Sequence, residues 1–160
     1  MLSQTTEYAL RVVAHLASVE GAATTHQIAV ATRVPEGYLA KVLQGLSRAG
    51  LVSSQRGLHG GSVLARPPAD ITLYDVVQAI DPMRRITTCP LGSKSHGTRL
   101  CAVHRRLDDA MDAAEKVFNA STLADMLAEP SPSKPLCESD DDARGPAKGS
   151  RPVKLTVRKK

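Results

Sequence analysis

The sequence predicts a mostly α-helical fold with a small β-hairpin wing: a winged helix-turn-helix followed by a long C-terminal helix. Three observations predict it. The stretch Leu51-Val-Ser-Ser-Gln-Arg-Gly-Leu-His-Gly-Gly-Ser-Val-Leu-Ala-Arg66 reads as two short strands joined by a glycine-rich turn with an arginine at its tip. Just upstream lie two helical segments of helix-turn-helix length. Downstream, Val103, Leu107, Ala110, Met111, Ala114, Val117 and Phe118 recur at helical intervals.

Each element has a local reason. The first helix starts at Ser3, carries Tyr8, Ala9, Val12, Val13, His15, Leu16 and Val19 at helical spacing, and stops at Gly21. Thr24 or Thr25 offers an N-cap for a short second helix through Ile28, Ala29 and Ala31, broken by Val34-Pro35-Glu36-Gly37. The third helix is expected from Tyr38 to Ala49, with Leu39, Val42, Leu43 and Leu46 on one face and Lys41, Gln44 and Arg48 on the other. Gly50 terminates it. In the hairpin, Gly57, Gly60 and Gly61 allow positive φ and close backbone approach, between the β-favouring pairs Leu51/Val52 and Val63/Leu64. Arg66-Pro-Pro-Ala-Asp70 then breaks structure. Thr72 and Asp75 make a variant capping box for a helix through Val76, Val77 and Ile80, which Asp81-Pro82 ends. Residues 83–100 read as a loop. The last long helix runs from about Cys101, and its apolar stripe is too long for this small core to cover, which makes it the expected dimer seam. Asp108, Asp109 and Asp112 read as its wet face, and Thr122–Leu127 as one short further turn. Domain organisation follows: 1–82 a DNA-binding head, 83–100 a sensor loop, 101–128 a dimerisation helix and terminal turn, and 129–160 a disordered tail rich in Pro, Ser, Gly, Asp and Lys.

Composition narrows the class. In 160 residues there are three Tyr, one Phe and no Trp, so the core must be built from Ala, Val, Leu and Ile. No apolar run approaches the roughly 20 residues that span a bilayer, and no secretory signal is visible, so no membrane partner and a cytoplasmic location are expected. Net charge is +5, but residues 131–160 hold eight bases and four acids, so most of it belongs to the tail. Within the ordered part, residues 25–66 carry Arg33, Lys41, Arg48, Arg56 and Arg66 against the single acid Glu36. Positive charge is concentrated where phosphate neutralisation would need it.

Tyr8-Ala-Leu-Arg11, Val34-Pro-Glu-Gly-Tyr-Leu-Ala-Lys-Val-Leu43, Gly50-Leu-Val-Ser-Ser-Gln-Arg-Gly57, Gly60-Gly61, Leu64-Ala-Arg-Pro67 and Ile71-Thr72-Leu73 occur in that order. With them the chain resembles, over roughly residues 2–127, the Rrf-type family of bacterial winged-helix regulators, which includes IscR, NsrR and CymR. The resemblance implies a homodimeric transcription factor, usually a repressor. Its partner is double-stranded DNA, a pseudo-palindromic operator with half-sites about 34 Å apart. It implies groove contacts from Tyr38 and Lys41, with Gln44 and Arg48 beside them, and a minor-groove contact from Arg56. Thr25 and His59 complete the DNA-binding set. Alternatively, Tyr38 caps the third helix and packs on the second, and Lys41 and Arg48 form an ordinary solvated face.

Cys89, His96, Cys101 and His104 fall within sixteen residues of a glycine-containing loop. Cluster-binding members of the family generally present three cysteines here, and one branch has a histidine at the position of His104. In this chain the middle cysteine is absent and His96 stands near its place. Two thiolates and two imidazoles suit a two-iron, two-sulfur cluster or a zinc ion, since both accept mixed ligation. Bare thiol redox sensing by Cys89 and Cys101, or no cofactor at all, are the other readings. The resemblance also implies an acidic ligand from the partner subunit at the position of Glu7, although a glutamate in a first helical turn already suits the macrodipole. Cys137, in the tail, is incidental.

Three functions fit: a regulator sensing redox state, nitric oxide or iron-sulfur status, a cofactor-free regulator answering to a small molecule or partner protein, and a winged-helix protein-interaction module. An enzyme is not expected. The wing glycines follow neither Walker nor dinucleotide-binding spacing, and no histidine pair has metalloprotease spacing.

Overall fold

The structure, a computed structural model, describes residues 2–55, 57, 60–90 and 99–130. Helix α1 (Gln4–Ser18) begins where the Ser3 hydroxyl accepts the Thr6 N–H at 3.2 Å, and it buries Ala9, Val12, Val13 and Leu16. Helix α2 (Thr25–Thr32) is capped by Thr24, not Thr25. The Thr24 N–H donates to the Gln27 side chain at 2.8 Å, and the Thr24 hydroxyl accepts the Gln27 N–H at 3.3 Å. That reciprocal pair satisfies two donors at the helix start, and it can form only when the glutamine is three residues on.

The boundary between the second and third helices differs from expectation. α2 ends at Arg33, whose φ of 52° lies in the left-handed region, and α3 (Glu36–Arg48) starts two residues before Tyr38. Pro35 explains the early start: its φ is already −57°, and its carbonyl accepts the N–H groups of Tyr38 and Leu39 at 2.9 and 3.1 Å. Gly37 therefore lies inside the helix instead of breaking it. α3 buries Leu39, Val42, Leu43 and Leu46. It ends at a left-handed Gly50 (φ +69°), where Gly50 N–H reaches the Ser47 carbonyl and Leu51 N–H the Leu46 carbonyl, both at 3.0 Å. Those two bonds are a Schellman cap, which a residue with a Cβ adopts only under strain.

Strands β1 (Val52–Gln55) and β2 (Gly61–Leu64) pair antiparallel, with Val52 opposite Leu64 and Gln55 opposite Gly61. Of the wing glycines only Gly57 has positive φ. Gly60 is required by proximity, because a Cβ there would lie 2.5 Å from the Gln55 carbonyl oxygen. The hairpin is also fixed at its outer edge. Ala23, between α1 and α2, exchanges backbone bonds with Ser62 at 3.1 and 2.8 Å.

A 3-10 turn at Pro68–Asp70 occupies the expected break. Helix α4 (Leu73–Ile80) follows, with the Thr72/Asp75 box formed in both directions. It packs on α1 and α3, and a Cβ on Gly45 of α3 would stand 2.8 Å from Ile80 Cδ1. Helix α5 (Ala102–Asn119) contains no buried residue and meets the head chiefly through α4. Helix α6 (Leu123–Ala128), capped by Thr122 and Asp125, returns to the head, where Leu123 is fully buried in the core shared by α1, α3 and α4. The tail from residue 131 lies outside the described residues.

Candidate functional site

The outer face of α3 is polar and uncovered. Tyr38 is 54% exposed, and Lys41, Gln44 and Arg48 are exposed with it, three, three and four residues apart. This spacing aligns them in one stripe opposite the buried leucines. Thr25 is exposed in the first turn of α2. Across the turn, His26 Nδ1 lies 3.0 Å from a Glu36 carboxylate oxygen, both well exposed. A shallow groove brings Ser3 and Thr5, at the start of α1, beside Lys41, Gln44 and Arg48.

Tyr38 does not cap α3, whose N-cap is Pro35. Its ring meets Tyr8 of α1 edge to face, with centroids 6.0 Å apart. Tyr8 is in turn held by the Gln4 side chain, which donates to its hydroxyl at 2.9 Å, and lies under the Arg11 guanidinium. Two of the three tyrosines thus brace one another, and Tyr38 is presented from a fixed base. The wing residues Arg56 and His59 lie outside the described residues.

A second constellation sits at the start of α5. The ligating atoms of Cys89, Cys101 and His104 all lie within 4.8 Å of one another. His104 Nδ1 is 3.1 Å from Cys101 Sγ and 3.6 Å from Cys89 Sγ. Cys89 is buried, Cys101 and His104 half-buried, and neither cysteine is in a disulfide. The His104 backbone N–H lowers the pKa of the Cys101 thiol. Partial burial opposes it, and the Val103 N–H and the Cys89 thiol add to the lowering. Tetrahedral zinc holds sulfur and nitrogen ligands about 3.5–3.8 Å apart. The Cys89–His104 distance matches that spacing and the Cys101–His104 distance is a few tenths of an ångström shorter, so a small adjustment would bring the three donors to three corners of a zinc site, or to the protein side of an iron-sulfur cluster with mixed ligands.

His96 lies outside the described residues. Glu7 does not join the group within this chain. Its carboxylate takes Arg11 at 2.6 Å, and Arg11 also donates to the Thr32 carbonyl at 3.2 Å, tying α1 to α2.

The sequence did not reveal what holds the Cys89 segment in place. Arg85 grips both oxygens of Asp108 at 2.7 Å and reaches Asp112 at 2.5 Å, while the Ile86 N–H donates to Asp108 at 2.9 Å. Lys116 closes on the far side of Asp112 at 2.6 Å. Asp108 and Asp112 were expected on a wet face, but their side chains are only 16% and 33% exposed and anchor the preceding segment. Asp109 is exposed, as expected. The Arg85 guanidinium holds the Asp108 carboxyl below the usual aspartate range, and the Lys116 ammonium does the same first for Asp112, with Arg85 adding to it.

Comparison with known proteins agrees with this architecture. The Rrf2 family model, described as an iron-dependent transcriptional regulator, matches residues 2–129. The HTH-type transcriptional regulator NsrR of Geobacillus kaustophilus is 33% identical over 132 residues, covering 80% of this chain and 90% of that protein. Among solved structures, the IscR of T. potens is 29% identical with a TM-score of 0.65, covering 79% of this chain and 85% of that one. The B. subtilis global cysteine regulator CymR is 25% identical with a TM-score of 0.66, covering 82% and 98%. No helix among the described residues is long and apolar enough to cross a membrane.

Proposed function

The chain belongs to the Rrf2 family of transcriptional regulators, and from that premise we propose a homodimeric repressor that reads a pseudo-palindromic operator and senses its signal at Cys89, Cys101 and His104. The observation that carries the DNA reading is the α3 stripe. A helix whose inner face is locked by four buried residues presents Tyr38, Lys41, Gln44 and Arg48 outward on a rigid head. Phosphate neutralisation by Lys41 and Arg48 supplies affinity, and the braced Tyr38 and Gln44 supply contacts to base edges. Arg56 and His59 in the wing, and Thr25 at the start of α2, are the remaining contacts of the reading.

Dimerisation rests on α5. Val103, Leu107 and Val117 are 66%, 51% and 61% exposed, which leaves the apolar stripe of an 18-residue helix uncovered in one chain. A second copy of the same stripe would bury it symmetrically. Each head would then deliver its α3 to one half-site.

The sensor reading rests on the convergence of three donors. A bound zinc ion would supply a tetrahedral node, and a two-iron, two-sulfur cluster would supply a one-electron redox response. Cys101 is the N-cap of α5, so any change in what its sulfur binds acts on the start of that helix. α5 packs on α4, and α4 packs on α3 through Ile80 and Gly45, which gives a contiguous path to the DNA face. A coupling of about 1–3 kcal/mol along it would change operator occupancy five- to 150-fold. The pair of neighbouring thiols, one with a lowered pKa, favours direct thiol oxidation as the second reading.

Oxygen-free purification followed by metal analysis, an absorption spectrum and operator footprinting tests these statements together. The expected result is bound zinc or iron, and salt-sensitive protection of an inverted repeat that Lys41→Ala and Arg48→Ala weaken. A monomer that protects no DNA would overturn the DNA and dimer readings. A colourless, metal-free protein with oxidant-insensitive binding would overturn the sensor reading alone.

A further inference from the structure

The described residues 81–90, which carry Cys89, form no helix or strand, yet the Cys89 side chain is buried beside the start of α5. We infer that Arg85 and Asp108 are positioning residues of the cysteine site, whose bidentate pair pins the chain four residues before Cys89 so that its thiol is delivered to Cys101 and His104. The inference deepens the sensor reading of that same site, and rests on it only for the metal-binding arm of the test.

Register carries the argument. Cys101, His104, Asp108 and Asp112 follow one another at intervals of three, four and four residues, so they form a single stripe along α5. Arg85 bonds the C-terminal half of that stripe and Cys89 meets the N-terminal half. At 1.5 Å per residue, Asp108 lies about 6 Å along the axis from His104 and about 10 Å from Cys101. Four residues of extended chain reach at most about 14 Å. With Arg85 anchored at Asp108, Cys89 can reach the level of Cys101 and little beyond it. Without the anchor, Cys89 and Cys101 are joined through the eleven intervening residues, a longer tether with a lower effective concentration of one thiol at the other.

The chemistry of the pair suits positioning better than stabilisation. The pair is half-exposed, Arg85 at 40% and Asp108 at 16%, and it ties α5 to the segment before it without touching the core of the head, so its contribution to folding of the head is small. What distinguishes this pair is directional control. A guanidinium fork fixes two bonds to one carboxylate, where a lysine would make a point contact. Asp108 also takes the Ile86 backbone N–H, so it holds the peptide chain itself as well as a side chain.

The test uses the full chain with Cys137→Ser, leaving Cys89 and Cys101 as the two thiols, and has two readouts. Co(II) titration follows thiolate-to-cobalt absorption. Equilibration with glutathione disulfide follows the reaction in which the Cys89–Cys101 S–S bond forms, the glutathione S–S bond breaks and two glutathione thiols take up the two protons. Arg85→Ala and the near-isosteric Asp108→Asn are each expected to lower Co(II) affinity about 10- to 100-fold, on the scale of outer-shell substitutions. Each should lower the effective concentration of the two thiols about tenfold. Arg85→Lys should fall between wild type and Arg85→Ala in both readouts. The urea midpoint of the head should stay unchanged in all three. Wild-type values for both readouts in Arg85→Ala and Asp108→Asn would overturn the inference. Failure of the Cys137→Ser parent to bind Co(II), with the thiol readout still falling in the variants, would remove the metal reading and leave the positioning role standing.

Discussion

The head of this molecule and its long helix are stabilised by different physics. In the head, Ile28, Leu39, Leu46, Leu51, Ile71 and Leu123 are sealed from solvent, and α1, α2, α4 and α6 each start on a Ser or Thr side-chain cap. In α5 no residue is buried, the N-cap residue Cys101 makes no side-chain cap hydrogen bond, and the ties to the segment before it are ion pairs. Half-exposed ion pairs do not replace a buried core and a helix cap, so the head is complete as one chain and α5 is not. Under the proposed function, recognition falls to the rigid part and response to the part whose stability depends on what binds it.

Core truncation should give the largest difference. Leu46→Ala is expected to destabilise the chain by about 2–5 kcal/mol in urea unfolding, as for other fully buried leucines. Leu107→Ala, measured at concentrations where the chain is monomeric, should change stability by no more than about 0.5 kcal/mol, the scale of ordinary surface substitutions. Equal losses would mean that α5 belongs to the core of its own protomer, and the comparison would collapse. Next in size is Leu107→Lys, which places a charge in the proposed seam. It should raise the dimer dissociation constant roughly 30-fold or more, the scale of an interface hot spot, in sedimentation equilibrium. Thr72→Ala should lower stability by about 1 kcal/mol through loss of the capping box, and should do so in the monomer and the dimer alike. Arg48→Ala should leave stability almost unaltered and reduce the salt slope of operator binding by about 1, as loss of one phosphate contact does.

The same division governs what could be read in advance. The head was legible because its signals are local: the Thr72/Asp75 box spans three residues, the Gly50 cap sits directly behind α3, and the alternation of buried and exposed residues on α3 has a fixed period. The misplaced start of α3 has a local cause too. A proline carbonyl nucleated the helix early and an arginine adopted the left-handed turn that glycine usually takes. What the sequence hid was long-range. Arg85 and Asp108 are 23 residues apart, and nothing in their spacing distinguishes a clamp from two solvated charges. Likewise the Ala23–Ser62 bridge joins alanine to serine, residue types with no pairing signature. Cysteine spacing pointed to Cys89, Cys101 and His104, but their convergence depends on a segment whose path is set by that clamp.

Acid titration is the finest way to separate the two regions. The folded-state pKa values of Asp108 and Asp112 are depressed, so whatever stability their ion pairs contribute is fully present above the ordinary aspartate pKa of about 3.9. It is lost as pH falls through the lower folded-state values. Arg85→Ala should act unequally on the two groups. For Asp108 the Arg85 side chain is the foremost cause of the depression, so its pKa should return toward the ordinary range, the more so because its bond to the Ile86 N–H is expected to loosen with the segment. For Asp112 the foremost cause is Lys116, one turn away on the same helix, so its pKa should move much less. Carboxyl carbon shifts followed by NMR from pH 6 downward resolve both groups in one experiment. Equal upward movement of the two would show that Arg85 acts as a diffuse charge. A larger movement of Asp108 would show a directed bond, the property that a clamp on the Cys89 segment requires.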